Sequence, residues 1–228
     1  MSKVANYHPD EAMQRRFLDG SLPMGMNVAV SAHVDSCDAC KQSIASLRDE
    51  TSANWYENVE QDWDEDFSGV LEQIIEKPSL PVEEKTATAE RTLTVQLKDR
   101  QVALPRVLAQ LAEETLAWKE VATGIQQALI DIDPKTKFEF IYMQPGARVP
   151  RHSHLGNEIM LVLDGDISDN FGSYRVSDFV FRKLKEEHRQ TTDGGCICLF
   201  VTDAPLIFTE GKARFINPIN RIKHWLSS

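Results

Sequence analysis

The chain has 228 residues, 42% of them hydrophobic, four cysteines and a net charge of −10, which is enough to bury one large core or two smaller ones. No apolar run approaches the roughly 18 residues that span a bilayer, and the first residues are not a basic segment followed by an apolar one, so a cytoplasmic protein is expected. The acidic balance argues against direct binding of nucleic acid, whose phosphates would repel it. It is also localised: residues 1–76 carry 15 acidic and 5 basic side chains, whereas residues 77–228 carry 20 of each. In chain order, His8-Pro9-Asp10-Glu11 reads as a helix start, with proline preset for the first helical position and the acids at the positive dipole end. That helix is expected to run to Asp19 and stop at Gly20, followed by helices over 23–33 and 37–49 with short joints. From Trp63 the apolar residues Trp63, Phe67, Val70, Leu71, Ile74 and Ile75 recur every three or four positions, the stripe of an amphipathic helix that needs a partner surface.

Residues 77–92 read as a linker, with two prolines, small polar residues and little to bury. Beyond it the texture changes to short β-forming segments (FEFIYM, EIMLVL, DFVF, CICLFV, LIFT) separated by the turn-like stretches PGA, DGD, FGS, DGG and EGK. Such spacing predicts an all-β barrel or sandwich over 93–228, joined to a small helical domain over 1–76. The LPRVLAQLAEETL stretch has room for a helix but is ambiguous.

The eight residues HVDSCDAC, His33 to Cys40, place an imidazole and two thiols at HxxxCxxC spacing. Across a helix end His33 faces Cys37, and Cys40 lies one turn further on. A closed structural zinc site wants four such donors. His8 is the only other histidine or cysteine in the first 150 residues, which makes it the expected fourth ligand. A zinc ion would supply the fastening that the few large apolar side chains of this region do not. A redox pair or two core thiols is the plainer reading of Cys37 and Cys40.

The segment GARVPRHSHLGNEIMLVLDG, Gly146 to Gly165, has the spacing of the first motif of the cupin family. In a strand His152 and His154 point to one side, with Glu158 rejoining them after a turn. The family's second motif ends in one more histidine, which the resemblance assigns to His188. That motif departs from its pattern here: Ser177, Lys183, Lys185 and Thr192 stand where cupins show glycine, proline, glycine and asparagine, which puts the turn geometry in question. Three imidazoles and a carboxylate suit zinc, iron, manganese or nickel.

A zinc-stapled helical domain, an acidic amphipathic helix, a linker and a cupin barrel together resemble the ChrR-like zinc anti-sigma factors. The resemblance implies that the N-terminal domain, holding zinc at His8, His33, Cys37 and Cys40, binds an extracytoplasmic-function-type sigma factor. It implies too that the cupin domain, holding a second zinc at His152, His154, Glu158 and His188, responds to oxidative or related stress. The stripe with Trp63, Phe67, Val70, Leu71 and Ile74 is then expected in a hydrophobic groove of the sigma factor, and the acidity of residues 1–76 would complement that factor's basic surface. Cys196 and Cys198, two apart in a strand, are a possible redox pair that the family also tends to carry, or inert buried thiols. A homodimer through the cupin domain is open. The rival expectation is a metal-dependent cupin oxygenase or isomerase with a regulatory N-terminal domain.

Overall fold

A computed structural model describes residues 5–58, 69, 72, 93–112, 116–211 and 214. Trp63, Phe67, Val70, Leu71 and Ile74, and the expected linker over 77–92, lie outside the described residues.

Three helices come first. The first, α1, spans Glu11–Leu18, with Asp10 rather than Pro9 at its start: the Asp10 carboxylate accepts from Met13 N at 2.8 Å. The left-handed Gly20 (φ 66°) ends the turn beyond it, as glycine does where a side chain would clash. The second, α2, spans Met24–Ser36, and no side chain of its own caps it. The carboxylate of Asp133, far along the chain, takes the Gly25 N–H at 2.6 Å instead. Gly25 is required there, because a Cβ would sit 2.2 Å from Thr136 Oγ1. The third, α3, spans Asp38–Asn58, nine residues past its expected end; no glycine or proline falls within it to stop the helix.

The remainder is antiparallel sheet. Strands β1 (Leu93–Leu97) and β2 (Arg100–Leu104) form a hairpin, followed by α4 (Arg106–Ala112), the stretch the sequence left ambiguous. The main sheet contains β3 (Lys119–Ala122), β4 (Ile125–Asp133), β5 (Thr136–Met143), β10 (Cys196–Thr202), β7 (Glu158–Asp169) and β8 (Gly172–Arg175) in that order, with β9 (Phe179–Arg182) also paired to β7. Strands β6 (His152–His154) and β11 (Leu206–Phe208) pair separately. The protein is thus helical first and all-β after.

Alternation in the central strands separates two apolar layers. Phe138, Phe140, Ile159, Leu161, Ile197, Leu199 and Val201 share one cluster with Met26, Ala29 and Val30 of α2, Leu108 and Ala109 of α4, and Leu97 and Leu104 of the hairpin. Met143, Met160, Val162, Cys196, Cys198 and Phe200 form the other. The helical part therefore does not rest on a metal alone, since α2 lays its i, i+3, i+4 face on the sheet.

Of the positions where cupins show glycine, Ser177 (φ 77°) and Lys185 (φ 70°) keep the left-handed backbone without being glycine. The turn survives its substitutions, under strain of about 1 kcal/mol each. Lys185 is exposed, so Lys185→Gly is expected to raise stability by about 1 kcal/mol, a Tm gain of roughly 2–4 °C. A thermal melt that fell instead would show the lysine side chain to be holding the turn.

Candidate metal centres

Two groups of four donors converge, each with its ligand atoms within 4.8 Å of one another. They are the two groups read from the sequence: His8, His33, Cys37 and Cys40, and His152, His154, Glu158 and His188.

In the first, His33 closes α2, Cys37 is its C-cap, Cys40 opens α3, and His8 arrives from the segment before α1. His8 Nδ1 lies 3.3 Å from His33 Nε2 and 3.4 Å from both sulfurs, and His33 Nε2 lies 3.3 Å from Cys40 Sγ. The edge of a tetrahedron around zinc, with bonds of about 2.0–2.3 Å to nitrogen and sulfur, has just this length of about 3.3–3.7 Å. His33 Nδ1 donates to Ser177 O at 2.9 Å, which fixes the tautomer and leaves Nε2 for a metal. Burial holds the His33 imidazole down to about 4 and pushes the Cys40 thiol up to about 12, with Cys37 adding to the latter. A proton is therefore hard to place on His33 and hard to remove from Cys40 unless a cation takes its place. The donor set fits zinc.

The second group is built by β6, the first residue of β7 and the loop before β10. His188 Nε2 lies 2.7 Å from His152 Nε2 and 3.1 Å from His154 Nε2, and Glu158 approaches His154 and His188 at 3.6 and 3.7 Å. Backbone bridges between His152 and His188 close the loop over the strand. Outside the ring, His152 Nδ1 donates to Pro150 O at 2.9 Å and His188 Nδ1 to Asp169 Oδ2 at 3.2 Å, so their Nε2 atoms are free to ligate. The buried Glu158 Oε1 has no hydrogen-bond partner. Burial, aided by Glu139, pushes Glu158 up to about 8, while burial and the neighbouring imidazoles hold His152 down to about 4 and His154 to about 3. Three imidazoles and an orphaned carboxylate oxygen that resists ionising are what a divalent cation would complete.

Metal entering this site must displace the Glu158 proton, whereas burial leaves His152 and His154 none to lose. Calorimetry in buffers of different protonation heat, on Cys40→Ser protein so that only this site titrates, is expected to find about one proton released per metal near pH 7 and close to none above about pH 9. Release that did not change with pH would remove Glu158 from the ligand set.

Asp169 is the functional residue that the sequence reading missed. Its side chain is 1% exposed. Oδ1 accepts from Phe171 N at 2.8 Å, Gly172 N at 3.1 Å and Tyr174 Oη at 2.9 Å, and Oδ2 accepts from Arg182 Nη2 at 2.9 Å besides His188. The Arg182 guanidinium also stacks over Phe171 at 4.4 Å and donates to the Tyr174 hydroxyl. Cys196 and Cys198 are fully buried free thiols in the layer that carries Met160 and Phe200, on the side of β10 opposite Ile197 and Leu199. The hydrogen bond with Cys196 and burial hold Cys198 protonated well above the usual thiol range.

Residues 107–206 match the family described as the ChrR cupin-like domain. This stretch is a ChrR cupin-like domain. Along almost its whole length the chain is similar to the anti-sigma-E factor ChrR of Cereibacter sphaeroides, 24% identical over 225 residues that cover 95% of this chain and 98% of the relative. It also superposes on a chain of the crystal structure of Rhodobacter sphaeroides SigE in complex with the anti-sigma ChrR, with a TM-score of 0.67 and 22% identity, over 88% of this chain and 100% of that one. The second likeness is one of fold. It extends beyond the ChrR cupin-like domain into the helices that carry the first metal centre. Among the described residues no helix is long and apolar enough to cross a membrane.

Proposed function

We propose that the protein is a zinc-dependent anti-sigma factor that sequesters an extracytoplasmic-function-type sigma factor in the cytoplasm. The observation that carries this reading is the tetrahedral spacing of His8, His33, Cys37 and Cys40 in a chain similar end to end to an anti-sigma factor. Zinc bound there would supply no chemistry beyond holding α1, α2 and α3 in one arrangement; the helices present the binding surface. Residues 1–76 act as the sigma-binding part, 77–92 as the connection and 93–228 as a cupin barrel. The bridges that bring the loop before β10 against β6 and β7 support such a wrapped sheet. The excess of acidic side chains in residues 1–76 speeds encounter with a basic partner, and Trp63 and Phe67, with Val70, Leu71 and Ile74, supply the apolar anchors.

The cupin centre senses rather than catalyses in this reading. His152, His154 and His188 present their Nε2 atoms and Glu158 a carboxylate to a divalent ion, zinc by analogy with the first site, and the imidazoles bound to Pro150 and Asp169 hold it in a fixed orientation. Loss or exchange of that ion, or oxidation of the Cys196 and Cys198 thiols, is the stress signal. The rival reading, a cupin oxygenase or isomerase, is motivated by the same ligand set and requires iron together with oxygen uptake.

Purified full-length protein with both sites loaded is expected to inhibit transcription by its cognate sigma factor stoichiometrically, and His152→Ala to inhibit as well in the absence of stress but to respond differently to it. Undiminished transcription at excess anti-sigma would sink the proposal.

A further inference from the structure

One short segment, Tyr174 to Phe179, supports both metal centres at once. Towards the first, Ser177 O accepts from His33 Nδ1 at 2.9 Å, and the Phe179 ring lies edge-on to the His33 ring at 5.5 Å. The fully buried Asp178 accepts from Asn6 N at 2.6 Å and Tyr7 N at 3.3 Å, and Phe179 N donates to Tyr7 O at 3.0 Å. Residue 7 is thus clasped through both its backbone groups, and residue 8 is a ligand. His8 is the member of its set that comes from before α1, not from α2, α3 or the joint between them, and the exposed one, so its position depends on that clasp more than the other three do.

Towards the second centre, Tyr174 Oη donates to Asp169 Oδ1, and the other oxygen of Asp169 holds His188. The Tyr174 ring meets the Tyr7 ring edge-on at 4.9 Å. Ser177 N bonds to Val162 O and Val162 N to Asp178 O at 2.9 and 3.1 Å, which pins the segment to β7, the strand that begins with Glu158. From His188 the path through Asp169, Tyr174 and Tyr7 to His8 is therefore one of direct contacts, and the segment that supplies Tyr174 also contains a left-handed non-glycine residue, Ser177, held in place by its surroundings.

We propose that the Tyr174–Phe179 segment couples the two metal centres, so that emptying the His152, His154, Glu158 and His188 site loosens His8 in the other. The inference rests on the reading that both groups hold a metal. A His188 no longer held on its Nε2 side is free to turn away from Asp169. The Asp169 carboxylate then re-partners, the Tyr174 hydroxyl loses its acceptor, and the ring that packs on Tyr7 is free to move. Because binding couplings are reciprocal, filling either centre strengthens the other.

The test uses cobalt(II) on full-length apoprotein. Thiolate-to-cobalt absorption reports only the Cys37 and Cys40 centre, since the cupin donors are imidazole and carboxylate. Glu158→Gln, which keeps the side chain's shape, is expected to weaken cobalt binding at the N-terminal centre about tenfold. In Tyr174→Phe protein, and separately in Asp178→Ala protein, the same Glu158→Gln change is expected to matter less than about twofold, because the link is already cut. Unchanged N-terminal affinity on Glu158→Gln, with two cobalt ions still bound by the parent chain, overturns the coupling and leaves the two-metal reading standing. A tenfold loss that persists in both Tyr174→Phe and Asp178→Ala overturns the assignment to this segment. Absence of any thiolate band overturns the coupling and the two-metal reading together.

Discussion

Cys40→Ser is expected to remove one equivalent of metal and, with it, the protein's ability to hold its sigma factor. Cys40 is 3% exposed and its sulfur touches both His8 and His33, so a serine hydroxyl there offers a harder, more weakly acidic donor in a site with no room for a replacement. Structural zinc contributes on the order of 10 kcal/mol to folding a module of this kind, more than the several kcal/mol by which most domains are stable. The loss should nevertheless be partial in far-UV circular dichroism. Helix α2 remains covered by the sheet through Met26, Ala29 and Val30, while α1 and α3, which meet it around the metal, come apart. Zinc content, sigma inhibition and helical signal measured together would check this. Full inhibition by a Cys40→Ser protein carrying a single metal would show that the helices bind their partner without the ion.

Asp169→Ala is expected to destabilise the sheet part by about 3–5 kcal/mol, because it strands the nearly buried Arg182 guanidinium without its carboxylate; for a chain of this size that is a Tm lower by roughly 10 °C or more. The same change removes the group that orients His188, and metal affinity at the cupin site should fall about 10–100-fold. A pH dependence distinguishes this carboxylate from its neighbours. Burial alone would raise its pKa, but hydrogen bonds from His188, Phe171 N, Arg182 and Tyr174 outweigh it and hold Asp169 well below the usual carboxylate range. A depressed folded-state pKa gives stability that is complete above about pH 4 and drains away as the pH falls further. The parent protein should therefore lose stability steeply below about pH 4, and Asp169→Ala should flatten that slope. Equal slopes in acid melts of the two proteins would show that Asp169 stores no such energy.

Both clusters of four donors were legible, but by different routes. HxxxCxxC and HxH are short spacings, His8 could be reached by elimination in a stretch poor in histidine, and His188 followed from the resemblance to the cupin second motif. The supports of those ligands were not legible. Asp169 lies 19 residues before the histidine it holds, and Asp178 lies 172 residues after the amide it clasps; no periodicity records a contact at that distance. Strands β3 and β4 were missed because β3 is exposed along its whole length and β4 interrupts its apolar residues with Gln126 and Gln127, which hides the alternation that betrays a half-buried strand. The glycine positions taken by Ser177 and Lys185 looked like lost turns. The backbone kept the turns, because the hydrogen bonds around them over-determine the conformation.

The seating of α2 bears on how the protein lets go of anything. Its amino end is capped by a carboxylate from the β4–β5 turn and its apolar side is shared with the sheet. A chain nicked anywhere between Asn58 and Leu93 would thus remain a clipped pair, because parting the pieces means wetting Met26, Ala29 and Val30 and stripping the Gly25 amide of its acceptor. Cleavage there would only permit dissociation; some other event would have to pull.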